Sequence, residues 1–280
     1  ATDMSPANCK NEMLRFRSSD LKPRVERLLD CGGTYVLFYG RRCNSCSQER
    51  RVSKMREAVR DAGKTYHERA SLLVYDADKI ARWANEHLAV ATMIMEYAGR
   101  PVPGQFKSWQ RWRADWEDSP EYVEDDVTRA HITQLREHLV KPGAVARIVG
   151  LSGLGKSRLA FETCRPINAN DTDTALCDKT VYVDYEGLDG PSKLLITIDQ
   201  WRDVGAEGLI IVDNCGSDMH DRLQDGITRG NSRISILTID YGPCPRCVGY
   251  PLIELKPTSK EVIKSMLKQS YKSMPDRDVV

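Results

Sequence analysis

The chain has 280 residues, enough for two domains, and Lys plus Arg total 41 against 40 for Asp plus Glu. The net charge of +1 excludes the global basic excess that would announce nucleic acid or an anionic membrane, so any such contact must come from a local patch. The longest apolar stretches, Leu88 to Met95 and Leu209 to Val212, are too short to cross a bilayer, and no signal-peptide pattern opens the chain. The cysteines are odd in number in a long chain without a secretory signal, which points to reduced thiols and a soluble, cytoplasmic protein. The start at Ala1 without a methionine and the stop at Val279-Val280 just after a helical pattern lead us to expect further sequence on both sides.

Lys22 to Leu29 reads as a short helix, and Cys31-Gly32-Gly33 is a turn handing over to the strand Thr34-Tyr35-Val36-Leu37-Phe38-Tyr39. From Gln48 to Ala62, Val52, Met55 and Val59 recur at three- and four-residue spacing, as on a surface helix. Ser71 to Tyr75 is a second strand, and Asp76 precedes a helical pattern from Ala77 to His87 that resumes from Ala89 to Tyr97. Residues 1–99 thus read as a small α/β domain. Pro101, Pro103 and Gly104 then break regularity, and residues 100–126 read as a linker. Trp109, Trp112 and Trp116 follow there at helical spacing; a base-stacking surface is one reading, but a short helix packing between the domains outweighs it. The acidic run Glu121 to Asp126 reads as a solvated face rather than a metal site.

After a helix from Val127 to Val140, Lys141-Pro142-Gly143 turns into a strand, Ala144 to Val149, followed by a glycine-rich loop and a helix from Lys156 to Cys164. Strand patterns recur at Thr180 to Asp184, Gly208 to Val212 and Arg233 to Thr238, with helical material at Ser192 to Trp201 and Asp218 to Thr228. The alternation implies right-handed crossovers and a parallel sheet covered on both faces. The expected class is α/β, a parallel-sheet P-loop NTPase domain over residues 127–280 preceded by the smaller α/β domain.

The loop Gly150-Leu151-Ser152-Gly153-Leu154-Gly155-Lys156-Ser157 fits G-x-x-x-x-G-K-S/T in full. Its glycines let backbone N–H groups converge on phosphates, Lys156 reaches the β and γ oxygens, and the Ser157 hydroxyl takes a place on Mg2+. ATP and Mg2+ are therefore the expected ligand and cofactor. Such a loop needs an acid at the end of an apolar strand to hold the metal through water, and Asp213 supplies it, making Ser157 and Asp213 the expected metal set. Asn214 follows where many ATPases carry a second acid; an amide can orient water but cannot take its proton, so hydrolysis should be slow. Strand order brings Thr238 towards the γ-phosphate as a polar sensor, so Asp213, Asn214 and Thr238 form the expected catalytic set.

Arg129 ahead of a helix, the run Ile148-Val149-Gly150 into Gly155-Lys156-Ser157-Arg158-Leu159, the pair Asp213-Asn214, and Ile253-Glu254-Leu255 leading into Ser259-Lys260-Glu261 resemble a bacterial STAND NTPase, related to NB-ARC proteins. The resemblance covers about Val127 to Met274. It implies an ATP-switched sensor, many relatives of which serve in antiviral defence, that forms a homo-oligomer when ATP is bound. It also places Arg129 near the nucleotide and extends the phosphate-binding set to Arg158. One departure is that NB-ARC relatives carry an arginine at the end of the sensor strand, where this chain has Asp240.

The first domain resembles the downstream half of a restriction-endonuclease-like domain, through Gly32-Gly33-Thr34-Tyr35-Val36-Leu37-Phe38 and Asp76-Ala77-Asp78-Lys79-Ile80-Ala81-Arg82-Trp83-Ala84-Asn85. In that fold the metal-binding acids and the lysine of the (D/E/Q)-x-K motif precede this region, so they would fall before Ala1. The resemblance implies DNA as a partner of this domain; the alternative is an unrelated α/β adaptor. The expected function is an ATP-binding switch controlling a nuclease-like effector, with a nucleotide-binding adaptor lacking turnover and an outright DNA nuclease as alternatives.

Two C-x-x-C pairs, Cys43-Asn44-Ser45-Cys46 and Cys244-Pro245-Arg246-Cys247, have zinc-knuckle spacing but lie far apart, so free thiols in loops are the default over zinc. Cys31, Cys164, Cys177 and Cys215 read as small packing residues, and no histidine stands in a metal or triad spacing.

Overall fold

In the computed structural model, residues 5–100, 102, 105–117, 119, 121–166, 174–188, 191–228, 232–242 and 249–257 are described. The chain forms two compact units, Ala1–Trp83 and Ala84–Val280.

In the first unit, α1 (Pro6–Met13) starts with a proline at its head and the Ser5 hydroxyl accepting from Asn8 N–H at 3.3 Å. It is followed by α2 (Pro23–Asp30), β1 (Thr34–Phe38), α3 (Ser45–Asp61), β2 (Ser71–Tyr75) and α4 (Ala77–Asn85). The two strands pair in parallel from Thr34↔Ser71 to Phe38↔Tyr75, which requires a crossover, and α3 is that crossover. Met55 and Val59 of α3 pack with Leu37, Leu72 and Val74 of the strands and with Cys9 and Met13 of α1. Asp76 is nearly buried because it caps α4, accepting from Lys79 N–H at 3.0 Å, and also accepts from Cys43 N–H at 3.2 Å.

The second unit runs α5 (Leu88–Tyr97), β3 (Lys107–Ser108), α6 (Trp109–Ala114), α7 (Asp126–Leu139), β4 (Val145–Val149), α8 (Lys156–Cys164), α9 (Thr174–Cys177), β5 (Thr180–Asp184), α10 (Pro191–Asp203), β6 (Gly208–Asp213), α11 (Ser217–Thr228), β7 (Ile234–Asp240) and β8 (Leu252–Glu254). The sheet order is β3-β5-β6-β7-β4-β8, parallel throughout except for the antiparallel edge strand β3. β4 and β6 are buried along their whole length, as strands covered on both faces must be. Alternate residues feed two cores: Val181, Val183, Ile210, Val212 and Ile236 face α10 and α11, whereas Ala146, Ile148, Ile211, Leu237 and Ile239 face α6, α7 and α8.

Two assignments differ from the sequence reading. Leu88 and Ala89 of α5, read as part of the first domain, lie in the core of the second unit with Val181 and Ile210. Residues 100–126, read as a linker, contribute β3, which pairs Lys107↔Tyr182 and Ser108↔Val181, and α6. Helical period shows that a face will be buried but not against which neighbour, and here the exposed flank of the sheet takes it. The three tryptophans are packing residues: Trp112 stacks on Tyr182 at 4.5 Å and Trp109 on Phe161 at 4.7 Å. In the acidic run, Asp125 caps α7 in a reciprocal pair with Thr128, a role the charge pattern alone did not reveal. Cys164, Cys177 and Cys215 are buried as expected, but Cys31 is exposed. Among the described residues no helix is long and apolar enough to cross a membrane. Pro101, Pro103, Gly104, Pro120, the Cys244/Cys247 pair and the segment from Thr258 onward, with Ser259-Lys260-Glu261, lie outside the described residues.

Because Trp112 is 2% exposed and touches three other aromatic rings, Trp112→Ala should lower stability by about 3–5 kcal/mol. Urea denaturation of the whole chain measures this, and a loss below about 1 kcal/mol would mean that the residue does not belong to a close-packed core.

Candidate functional site

The glycine-rich loop leaves β4 and enters α8, so the free N–H groups of a helix start point at the loop. Gly155, at the helix N-cap, has φ +83°, a left-handed conformation that other residues adopt only at a cost. Gly150 has no room for a side chain, since a Cβ would stand 2.8 Å from the carbonyl oxygen of Leu255. The remaining members of the set, Leu151, Ser152, Gly153 and Leu154, complete the loop, and Leu151 is exposed.

Lys156 is only 9% exposed, and its Nζ donates to Leu151 O at 2.9 Å and lies 4.6 Å from the ring centre of Tyr241. Burial lowers its pKa, while the charges of Asp213 and Asp240 oppose that shift. Ser157 Oγ donates to Asp213 Oδ2 at 2.6 Å. The same oxygen accepts from Tyr182 O–H at 3.2 Å, and Oδ1 accepts from Asn214 N–H at 3.0 Å. Burial, followed by the Asp213 charge, raises the Tyr182 pKa and so keeps the phenol a donor. A hydroxyl and a carboxylate whose oxygens already converge are a hard donor set that suits Mg2+. Among the described residues no group of three or more His, Cys, Asp or Glu could hold a metal.

Asn214 has φ +54°, and its amide donates to Asp184 Oδ1 at 2.9 Å. Thr238 is fully buried within the sheet: its hydroxyl accepts from Arg147 Nη1 at 3.1 Å and pairs with His220 Nδ1 at 2.7 Å. None of these partners belongs to the loop. The residue at the end of β7 is Asp240, opposite Val149 and one residue before Gly150 in register. Arg129 is 60% exposed and pairs with Asp126 at 3.0 Å and Glu124 at 3.5 Å, again outside the loop. Arg158 follows the loop but turns to Glu162 at 2.8 Å and lies over the rings of Trp116, Tyr122 and Phe161, where it fastens α8 to the segment before α7.

Sequence reasoning missed Arg147, whose guanidinium is fully buried. Its Nη1 also donates to Cys215 O at 3.0 Å and its Nη2 to Asp240 Oδ2 at 3.1 Å. An arginine in the middle of an otherwise apolar strand is a signal that could have found it, because a buried charge must be paired. His220 was also passed over; it links Thr238 to Tyr250, with Nε2 2.6 Å from the phenol oxygen.

The chain matches no protein-family model and no curated protein. Among solved structures it is similar to the Aeropyrum pernix ORC2 protein in its ADPNP–ADP complexes, at 16% identity and TM-score 0.40 over 60% of this chain and 56% of that one. It is also similar to the Drosophila ORC bound to DNA, at 14% identity and TM-score 0.42 over 60% and 52%. A third is a Pyrococcus horikoshii STAND protein with a tetratricopeptide repeat sensor, at 18% identity and TM-score 0.34 over 57% and 28%. The chain spans about half or less of the length of these proteins. The likenesses are remote, and the site stands on its own geometry.

Burial first, and then Arg147, push the His220 pKa from 6.5 down to about 4. The unfolded chain therefore binds the extra proton between these values, and stability falls as pH drops from about 6.5 to about 4, by up to about 3 kcal/mol. Below the folded value both states are protonated and the loss stops. Denaturation midpoints near neutrality and near pH 4.5 should separate further for the wild type than for His220→Gln, and equal separations would show that His220 does not titrate in this way.

Proposed function

We propose that the second unit binds ATP with Mg2+ and acts as a slowly hydrolysing switch. The observation that carries this reading is the 2.6 Å hydrogen bond from Ser157 to Asp213, which joins the loop hydroxyl to the strand-end acid. Gly150, Gly153 and Gly155 leave the backbone open to phosphate oxygens, the α8 N-terminus adds its N–H groups, and Lys156 adds a positive charge. Ser157 and Asp213 would hold the metal, which when bound offsets the charge of the β and γ oxygens. Slow turnover follows from Asn214, whose amide is tied to Asp184 and cannot take a proton from water. That observation equally favours the second reading, a nucleotide-binding adaptor without turnover.

The finer proposal follows the STAND resemblance. The ATP-bound form would assemble as a homo-oligomer and control a nuclease-like effector built on the first unit, with DNA as its partner and cytoplasmic antiviral defence as its setting. In this scheme the second unit forms the nucleotide-binding domain, Arg129 and Arg158 belong to its nucleotide set, and Thr238 senses the γ-phosphate. Nuclease activity in this chain itself is the third reading, and metal-dependent DNA cleavage would establish it.

Titration of the whole chain with ATP tests the central claim. Lys156→Ala should weaken binding roughly ten- to a hundredfold, because it removes a charge-assisted contact to phosphate. Asp213→Ala should weaken binding only when Mg2+ is present. Wild-type affinity in Lys156→Ala would sink the phosphate-site assignment.

A further inference from the structure

We propose that Asp240 is the catalytic base for ATP hydrolysis at this site, accepting the proton of the attacking water; the inference rests on the ATP-binding reading above. Hydrolysis needs a group that can take a proton beside the γ-phosphate, and Asn214 cannot do so. Asp213 is engaged by Ser157, Tyr182 and the Asn214 N–H, the bonding of a metal-holding acid. Asp184 is tied to the Asn214 amide and lies beyond β6, two strands farther from the loop than Asp240.

Asp240 stands in the right place. β7 lies between β4, which carries the loop, and β6, which carries Asp213, so its end sits between the phosphate loop and the metal-holding acid. Its Cα pairs with Val149, immediately before Gly150. The next residue, Tyr241, lays its ring 4.6 Å from Lys156 Nζ, and the Asp240 charge acts on that lysine. The side chain is 17% exposed, open enough to meet water, while Arg147 grips one of its oxygens at 3.1 Å.

Arg147 is a positioning residue with an unusual cost. It is fully buried, and its Nε has no hydrogen-bond partner among the described residues. Stability alone gives little reason to keep such a group, since an apolar side chain would pack there without that penalty, whereas aiming a carboxylate does require it.

In the step, the water oxygen forms a bond to the γ-phosphorus as the bond from that phosphorus to the β–γ bridging oxygen breaks. The electron pair of the broken bond leaves with ADP. The water proton passes to an Asp240 oxygen and then to solvent, leaving ADP and inorganic phosphate. The loose transition state of phosphoryl transfer asks little advance deprotonation of the water, so the step does not demand a strong base.

Single-turnover hydrolysis and ATP titration of the whole chain with Mg2+ test the proposal. Asp240→Asn, nearly the same shape, should keep ATP affinity within about threefold and lose at least about a hundredfold in rate. Asp240→Glu should recover part of that rate, because it restores a carboxylate. Undiminished turnover in Asp240→Asn overturns the proposal, as does loss of ATP binding to the level of Lys156→Ala. If the wild type binds ATP but hydrolyses it no faster than Lys156→Ala, the binding reading stands and this one falls. If the wild type binds no ATP, both fall.

Discussion

Parallel strands cannot be joined by tight turns; each must be followed by a crossover that carries the chain back before the next strand begins. In the second unit this constraint gathers the carboxyl ends of β5, β6, β7, β4 and β8 on one edge of the sheet. Three neighbouring strands there end in an acid, Asp184, Asp213 and Asp240, and the fourth runs into the glycine-rich loop. Such a cluster of like charges is unfavourable unless it is compensated. Each acid has its own compensation: Asp184 receives the Asn214 amide, Asp213 the Ser157 and Tyr182 hydroxyls, and Asp240 the Arg147 guanidinium. The edge is thus an acidic rim, and the nearly buried ammonium of Lys156 sits in the loop itself.

The two faces of the sheet do different work. One carries α8 and the tryptophan cluster, an apolar support that fixes the direction of the loop helix through Phe161 and Trp109. The other carries α11 and, among its apolar residues, the polar chain Asp240–Arg147–Thr238–His220–Tyr250. A polar chain inside a core is tolerated only where its members satisfy one another, and keeping His220 uncharged beside Arg147 is part of that balance.

The glycine-rich loop was legible as a loop because its spaced glycines need a backbone that other residues resist, and the structure puts it between β4 and α8 with Gly150, Gly153 and Gly155 at positive φ. Asp213 was legible because an apolar run ending in an acid shows where its strand stops. Thr238 was given the strand-end role because the strand was taken to stop there, but β7 continues to Asp240. Two residues further on keeps the same face of the sheet and moves the strand end from the interior to the rim. The break between units was misplaced for a different reason. The apolar character of Leu88–Tyr97 announces burial, but only the folded chain shows that Gly208, with Leu88 directly above it, is where it lands. The partners of Arg129 and Arg158 were not legible at all, since several acids lie within reach of each long side chain.

The same bonds that aim Asp240 also limit how it can move. Arg147 holds Asp240 with one nitrogen and, with another, both the carbonyl of Cys215, just past β6, and the hydroxyl of Thr238. Any shift of Asp240 must stretch this fork or carry β6 and β7 with it, because a buried guanidinium cannot exchange its partners for water. Through Thr238 the constraint reaches His220 on α11, 2.7 Å from the threonine hydroxyl. Close-packed elements respond to such a pull by moving between discrete arrangements rather than bending smoothly. The bonded path from Asp240 to α11 thus runs along one face of the sheet, while the tryptophan cluster packs on the other.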